Sequence, residues 1–491
     1  MEVTATAKLR RMVLEHLARY TWEGRLTDSV YNILEEVQEN TPRYRCCVYK
    51  ERAVLKNRIQ AGFGVQFGLN IIDAAKYTLT QPERKDLPVV DVLPAACDQC
   101  PIERYYVSDA CRHCLTHKCM NNCPKGAISI INNRAFIDHS KCVECGRCKQ
   151  SCPYGAILEI HRPCVRACPM EAISIDKENR KAIIDQNKCV QCGACRNACP
   201  FGAIDERSQI VRVIMALKDK RCKVVAMLAP SILAQFGFKV HLGQIMAAVK
   251  AVGFDEVVEV GVGADIVTVR EGTEFMEKVP KEQEFMTSSC CPAYVKMVKK
   301  SLPNQVRYVS ETVSPMVACG EWVKKHYPGA FTVFIGPCIA KKAERREHED
   351  VVDYVLTFEE LGCLLDSRDI KVAEMQDENF ERDASKYGLG YPLPAGVTAA
   401  VIEGVTALGG KVGEHQYASG LENCRELVRN VAEGKVKARY VECMACANGC
   451  IDGPAGMADC NIVKVALKRY ADEAPNQATL AAPHVQEKKD E

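Results

Sequence analysis

The sequence predicts a chain in three parts: a mostly helical N-terminal region, an α+β block built around cysteines, and an α/β domain towards the C-terminus. Three observations carry this reading. Apolar residues recur at helical spacing before residue 90. Sixteen of the 29 cysteines fall between Cys97 and Cys199. After Arg221, apolar runs of strand length alternate with helical stretches, the pattern of an α/β domain. The boundaries that follow are 1–90, 91–205 and 206–475, with a polar tail at 476–491 expected to be disordered.

Composition narrows the function classes. The 491 residues are 47% hydrophobic and 26% charged, which suits a folded soluble chain and excludes an intrinsically disordered one. Lys and Arg number 65 against 63 Asp and Glu, and no basic tract stands out, so no nucleic-acid partner is expected. The longest nearly apolar run, 224–238, contains Pro230, Ser231 and Gln235 and falls short of the ~20 residues of a membrane span. Arg10-Arg11 is followed closely by Glu15, His16 and Arg19, which leaves no apolar stretch for an export signal. A secreted disulfide scaffold is short. A long chain with 29 cysteines and no such signal is expected in the cytoplasm, with its cysteines as metal ligands.

In the first 90 residues, Met12, Leu14, Leu17 and Tyr20 mark one helix and Val30, Ile33, Leu34 and Val37 a second, with Thr27 and Asp28 as its expected cap. Cys46-Cys47 is an adjacent pair, too close to share one ordinary cluster geometry, and is expected to be structural or idle. Pro82, Pro88 and Pro94 break the helical pattern. Beyond residue 221, strands are expected at 224–228, 256–260 and 332–335, and helices at 241–252, 293–300 and 315–325.

The cysteine block repeats one phrase four times: Cys123-Pro-Lys-Gly-Ala-Ile, Cys152-Pro-Tyr-Gly-Ala-Ile, Cys168-Pro-Met-Glu-Ala-Ile and Cys199-Pro-Phe-Gly-Ala-Ile. Their intervals of 29, 16 and 31 residues read as two copies of a two-part unit with a joint between them. Cys142, Cys145, Cys148 and Cys152, and again Cys189, Cys192, Cys195 and Cys199, have the spacing of the bacterial ferredoxin run. That run holds 4Fe–4S clusters and lends its fourth cysteine to the other cluster of a pair. Zinc sites instead show paired short spacings. A third run, Cys111, Cys114, Cys119 and Cys123, has one stretched interval. One cluster then takes Cys111, Cys114, Cys119 and Cys152, and its neighbour takes Cys142, Cys145, Cys148 and Cys123.

In the second unit, Cys189, Cys192 and Cys195 pair with Cys168, which leaves Cys164 and Cys199 short of two ligands. Cys97 and Cys100 are the unassigned short-spaced pair. Alternatively they are structural, and His113 or His161 completes the site. The block is thus expected to form α+β ferredoxin-like modules, each with two 4Fe–4S clusters. The four clusters make an electron wire, with the chemistry lying elsewhere in the chain.

Three phrases stand out in the α/β region: Thr287-Ser-Ser-Cys290-Cys291-Pro292, Gly336-Pro337-Cys338-Ile-Ala-Lys341-Lys-Ala-Glu344, and Glu442-Cys-Met444-Ala-Cys446-Ala-Asn-Gly449-Cys450-Ile-Asp-Gly453. They closely resemble the three signatures of the catalytic domain of FeFe-hydrogenases, over roughly residues 221–465. The resemblance implies an α/β catalytic domain of iron-only hydrogenase type. It also implies an H-cluster, a 4Fe–4S cubane joined through one cysteine to a two-iron unit with CO, cyanide and an azadithiolate. On that resemblance Cys291, Cys338, Cys446 and Cys450 hold the cubane, Cys450 as the bridge, and Cys290 is the thiol that relays protons. Ala229-Pro230-Ser231 lines the two-iron pocket, Lys341 donates to a cyanide, and Met444 packs beside the bridging CO. A charged donor suits a buried anionic ligand. Glu271, Glu274 and Ser310 match the family's proton path, and carboxylates with a hydroxyl are the groups such a relay needs.

The implied activity is reversible hydrogen formation from protons and reduced ferredoxin or a similar small electron carrier. Hydrogenase maturation proteins supply the cluster, and no membrane is involved. The protein is expected to be monomeric or loosely associated. Gly336, Met316, Tyr294 and Gly453-Pro-Ala-Gly456 depart from the best-studied members and resemble the branch often called group B. Two rivals are a hydrogen-sensing protein, usually with an output domain and no Cys290, and an iron–sulfur assembly relative lacking the two-iron unit. Gly261-Val-Gly263 lacks the third glycine of a dinucleotide fingerprint and is expected to be a strand-end turn. Cys222, Cys319, Cys363, Cys424, Cys443 and Cys460 lack ligand spacing and are expected to be buried small hydrophobes.

Overall fold

A computed structural model describes residues 4–486 except 177 and 381. The N-terminal region is helical, with helices Ala5–Trp22, Asn32–Glu39, Val48–Gly62 and Ile71–Thr80. Their apolar faces do not close a core of their own. Val13, Leu17, Ile33 and Ile59 join one hydrophobic cluster with Ile214, Val225 and Leu361 of the α/β domain. A buried ionic network crosses the same junction: Arg10 meets Glu359 at 2.9 Å, Arg58 meets Asp205 at 3.0 Å, and Lys342 meets Glu360 at 2.9 Å, with Arg196 also on Glu359. Removing one partner from such a network leaves a buried charge uncompensated, at ~3–5 kcal/mol. The cap expected from Thr27 and Asp28 does not form. They lie inside the short helix Leu26–Ser29, and helix Asn32–Glu39 starts after Tyr31 without a side-chain cap.

The cysteine block folds as two α+β units, but one is nested in the other rather than following it. Strand Val90–Val92 pairs antiparallel with Ile204–Glu206, and between these ends Tyr105–Val107 pairs with Ile157–Glu159. Each unit carries one hairpin, Ile128–Ile131 with Arg134–Ile137 and Ile173–Ile175 with Ala182–Ile184. Cys97 and Cys100 therefore stand in the outer-chain unit where Cys111 and Cys114 stand in the inserted one. The match extends to single bonds: Ala182 N donates to Cys97 Sγ at 3.3 Å, as Ala135 N does to Cys111 Sγ at 3.4 Å.

The repeated phrase has a local cause. Cys123, Cys152, Cys168 and Cys199 each accept a backbone N–H from the alanine four residues on, at 3.2–3.4 Å. Closing that turn needs a left-handed residue three positions after the cysteine. Gly126, Gly155 and Gly202 supply it at φ 56–58°, and Glu171 supplies it at φ 49°.

The α/β domain contains a four-stranded parallel sheet in the order Glu256–Glu259, Val224–Leu228, Phe331–Gly336, Tyr354–Thr357. A second parallel sheet runs Met286–Thr287, Tyr440–Met444, His415–Ser419. Ala229, Cys290 and Cys338 all sit just beyond the C-terminal ends of parallel strands, where open α/β sheets present their sites. Gly261-Val-Gly263 is the first turn of helix Gly261–Lys278, not a strand-end turn. A Cβ on Gly263 would stand 2.2 Å from the Pro315 carbonyl oxygen, so the glycine lets two helices touch.

The tail expected to be disordered is ordered as far as it is described. Thr479–Ala481 and Pro483–Gln486 form helical turns, Ala482 and Val485 are buried, and His484 faces the buried Asp265 at 3.3 Å. Positions 487–491 of that expectation lie outside the described residues. Cys319, Cys363, Cys424 and Cys443 are buried as expected, whereas Cys222 is exposed and Cys460 half-buried. Cys46 and Cys47 precede helix Val48–Gly62 with their sulfurs 3.8 Å apart. No helix among the described residues is long and apolar enough to cross a membrane.

Candidate active site and metal centres

One cavity gathers the three cysteine phrases. Cys290 and Cys291 reach it from the turn after Met286–Thr287, Cys338 from the turn after Phe331–Gly336, and Cys446 and Cys450 from the segment after Tyr440–Met444. Ala229, Pro230, Ser231, Lys341 and Met444 line it as well. The remaining wall is largely prolines and aliphatic or aromatic side chains. Phe334 belongs to it, and its ring edge would stand 2.6 Å from a Cβ on Gly336. A larger residue at 336 and this ring exclude each other, which accounts for the glycine there.

The donor set suits a cationic metal cluster. Burial pushes the Cys338 thiol up to about 12, and it raises Cys291, Cys446 and Cys450 too. As free thiols these groups stay neutral; holding them as thiolates takes positive charge inside the cavity. Ser231 Oγ and Tyr391 Oη are buried in the wall with no protein partner, so both are donors waiting for something in the cavity. Lys341 is fully committed: its Nζ donates to Glu344 at 2.6 Å, Ser314 Oγ at 2.8 Å and the Cys290 carbonyl at 3.3 Å. A ligand taking a bond from Lys341 exchanges with one of these.

The groups expected to move protons split into two pairs. Ser310 Oγ donates to Glu274 Oε2 at 2.6 Å, and Thr312 Oγ1 joins at 3.0 Å. Although burial opposes it, these bonds and Lys278 hold Glu274 below the usual carboxylate range. Glu271 is fully buried and accepts from Tyr440 Oη at 2.9 Å. Desolvation pushes it up to about 8, so it is a neutral acid at neutral pH. It is not hydrogen bonded to Ser310 or Glu274. Cys290 is near enough that the Glu271 charge raises its thiol further, after burial.

Glu271 yields a pH prediction. Its folded pKa lies above its unfolded value of 4.5, so its contribution to stability is complete below about 4.5 and is lost as the pH rises through about 8. The melting temperature of Glu271→Gln should therefore gain on that of wild type across this interval. A gain that shrinks with pH contradicts a neutral buried acid.

The accessory cysteines also ring cavities. Cys111, Cys114, Cys119 and Cys152 line one, and Cys123, Cys142, Cys145 and Cys148 line another. Cys164 feels the charges of Cys199, Cys100 and Cys97, which brings those four together. Cys192 and Cys195 likewise feel Cys189 and Cys168. The histidine alternative finds no support: His113 lines the Cys111 cavity and His161 pairs with Glu159. Among the described residues, no three His, Cys, Asp or Glu converge tightly enough for a single metal ion.

The groups lie in series. Cys192 lines the large cavity and senses Cys291, and Cys195 senses Cys164 in the next set. Tyr105, five residues after Cys100, lines the Cys142 cavity. Sequence reasoning missed Tyr391, Tyr440, Phe334 and the place of Cys192 in the large cavity. It quoted Glu442 without a role. That side chain accepts from Thr398 N at 2.7 Å and Ala395 N at 3.0 Å, which anchors the loop behind Tyr391.

Fold and site together define an iron–sulfur domain of hydrogenase type. Residues 222–454 match the iron only hydrogenase large subunit, C-terminal domain. Residues 162–203 match a 4Fe-4S dicluster domain and 135–158 a 4Fe-4S binding domain. Iron hydrogenase 1 of Clostridium pasteurianum is 27% identical over 386 residues, 67% of this chain and 66% of that protein. This chain thus spans just under two-thirds of that relative's length. The cytosolic Fe-S cluster assembly factor NAR1 of Yarrowia lipolytica is 26% identical over 184 residues, 33% of this chain and 37% of that protein. A variant of the FeFe-hydrogenase from Chlamydomonas reinhardtii aligns at a TM-score of 0.49 with 22% identity, covering 57% of this chain and 94% of that one.

Proposed function

We propose that this protein is a cytoplasmic hydrogenase that interconverts H2 with protons and electrons, exchanging the electrons with ferredoxin or a similar carrier. The observation that carries the reading is the single buried cavity where Cys290, Cys291, Cys338, Cys446, Cys450, Lys341 and Met444 meet. Cys291, Cys338, Cys446 and Cys450 would hold the H-cluster, with Cys450 as the bridge to its two-iron unit. When bound, that cluster supplies the chemistry that makes and breaks the H–H bond. The chain does the rest. Prolines and aliphatic residues line the cavity and exclude water, and Ser231, Lys341 and Met444 would face the cluster's small ligands. Cys290 holds a proton at Sγ beside the cavity and Glu271 holds one behind it. Glu274 and Ser310 continue towards solvent.

Four cysteine sets would hold accessory 4Fe–4S clusters in line with the cavity. The Cys111 set carries Leu115 at 97% exposure beside exposed Arg112 and Lys118, which favours an acidic carrier docking there. Maturation proteins must deliver the two-iron unit. The test is hydrogen evolution with a reduced dye after anaerobic maturation. Turnover supports the reading, and its absence with a full cluster complement favours the assembly-factor alternative, which the similarity to NAR1 keeps in view.

The double variant Cys97→Ala, Cys100→Ala should lose about four irons and one cubane EPR signal. Because that set lies mid-wire, dye-driven turnover should persist while ferredoxin-driven turnover collapses. Unchanged iron content contradicts these ligands.

A further inference from the structure

One buried cation of the cysteine block has no acid to answer it. Arg162 is 7% exposed and stands just before helix Pro163–Arg166. Its Nε donates to the Pro101 carbonyl at 3.1 Å and its Nη2 to the Arg180 carbonyl at 2.9 Å. Both acceptors are neutral, and among the described residues no carboxylate forms an ion pair with Arg162. The neighbouring buried arginines are paired. Arg58 meets Asp205 at 3.0 Å while donating to the Gly202 carbonyl, and Arg45 meets Asp98 at 3.4 Å while donating to the Phe201 carbonyl. A guanidinium keeps its proton in a protein, so Arg162 stays charged, and a buried charge without a counter-charge is strongly unfavourable.

The segments that Arg162 ties together carry the ligands of one set. Pro101 follows Cys100, and Arg180 lies two residues before Ala182, whose N–H reaches Cys97 Sγ at 3.3 Å. Cys164 is two residues beyond Arg162 itself. Cys199 joins through Ala203, whose N–H reaches Cys199 Sγ at 3.2 Å and whose carbonyl accepts from Leu93 N at 2.8 Å. Cys97, Cys164 and Cys199 share one buried cluster of side chains. The inserted unit differs. Around its corresponding set, Arg112 and Lys118 are exposed, so water and salt screen their charges.

We propose that the anion answering Arg162 is the four-thiolate cluster of Cys97, Cys100, Cys164 and Cys199, and that Arg162 raises the reduction potential of that cluster. Arg162 is a positioning residue: it makes no hydrogen bond to a sulfur, and it acts through its charge and through the two carbonyls it fixes. A cubane on four thiolates is an anion in both redox states. The one electron it accepts from a reduced carrier, with no proton, adds to that negative charge, so a fixed buried cation favours the reduced state. Electrons on the wire then rest longer at this set than they would beside a neutral residue. The inference rests on the accessory-cluster reading and is independent of hydrogen turnover.

The test is an EPR redox titration of the full chain, loaded with its 4Fe–4S clusters and lacking the two-iron unit. The signal of this set is the one absent from the Cys97→Ala, Cys100→Ala variant. Arg162→Gln should shift its one-electron equilibrium at least ~10-fold towards the oxidised state, a fall of ~59 mV in midpoint, with the other signals in place. Arg162→Lys keeps the charge but not the two-pronged grip, and its midpoint should stay near wild type. No shift in Arg162→Gln, or equal shifts in both variants, overturns the electrostatic role. Should iron analysis show that Arg162→Gln has lost the cluster, Arg162→Lys decides: a retained cluster supports a required charge, and loss in both variants overturns it. If the double cysteine variant keeps every signal, the ligand assignment falls and the role of Arg162 falls with it. A matured wild-type protein without hydrogen turnover sinks the hydrogenase reading alone, and the titration still decides the role of Arg162.

Discussion

Cys450→Ala should yield a protein that keeps its accessory clusters and shows no hydrogen turnover. The cysteine stands in the wall of the large cavity with Cys291, Cys338 and Cys446, and in the proposed assignment it joins the cubane to the two-iron unit. The other three ligands can retain a cubane, and the two further cysteines of the wall, Cys290 and Cys192, are assigned to the relay and to an accessory set. Lys341, already bonded to Glu344, Ser314 and the Cys290 carbonyl, donates hydrogens and cannot replace sulfur. Iron analysis and EPR should therefore show the accessory signals with the H-cluster signal missing. Turnover at wild-type level contradicts the assignment of Cys450.

Cys290→Ser should keep every iron and lose turnover by ~10²-fold or more. Cys290 lines the same cavity but is not needed to complete the four-thiolate set. Burial and the neighbouring Glu271 raise its thiol, so it rests protonated. A free thiol has a pKa of ~8.5 and still releases a proton readily, whereas serine of nearly the same shape is a far weaker acid. Hydrogen evolution with a reduced dye, set against iron content, separates a relay from a ligand. Loss of iron together with activity shows a ligand role, and full activity shows no role at all.

The cysteine sites were legible because ligand spacing is local. A Cys-x-x-Cys-x-x-Cys run puts three sulfurs around one cavity, and the following Cys-Pro turn closes on its own alanine N–H whatever the rest of the chain does. The count of sixteen thiolates also pointed to Cys97 and Cys100. Nesting was not legible. It depends on Val90–Val92 pairing with Ile204–Glu206 across the whole inserted unit, and no local pattern records that register. Gly261 and Gly263 were misread because the chain passes from strand to helix with almost no loop, and helix packing, not a turn, demands small residues there. Tyr391 carried no signal. An aromatic residue reads as core until its hydroxyl is found buried and unpaired.

Infrared spectroscopy of the anaerobically matured protein tests the central claim most directly. An H-cluster in the large cavity predicts absorption from bound CO and cyanide, lost in Cys450→Ala and retained in Cys290→Ser. A fully matured protein with its iron–sulfur clusters in place and no CO or cyanide bands would contradict the account, leaving a hydrogenase-type fold that holds iron–sulfur clusters without hydrogen chemistry.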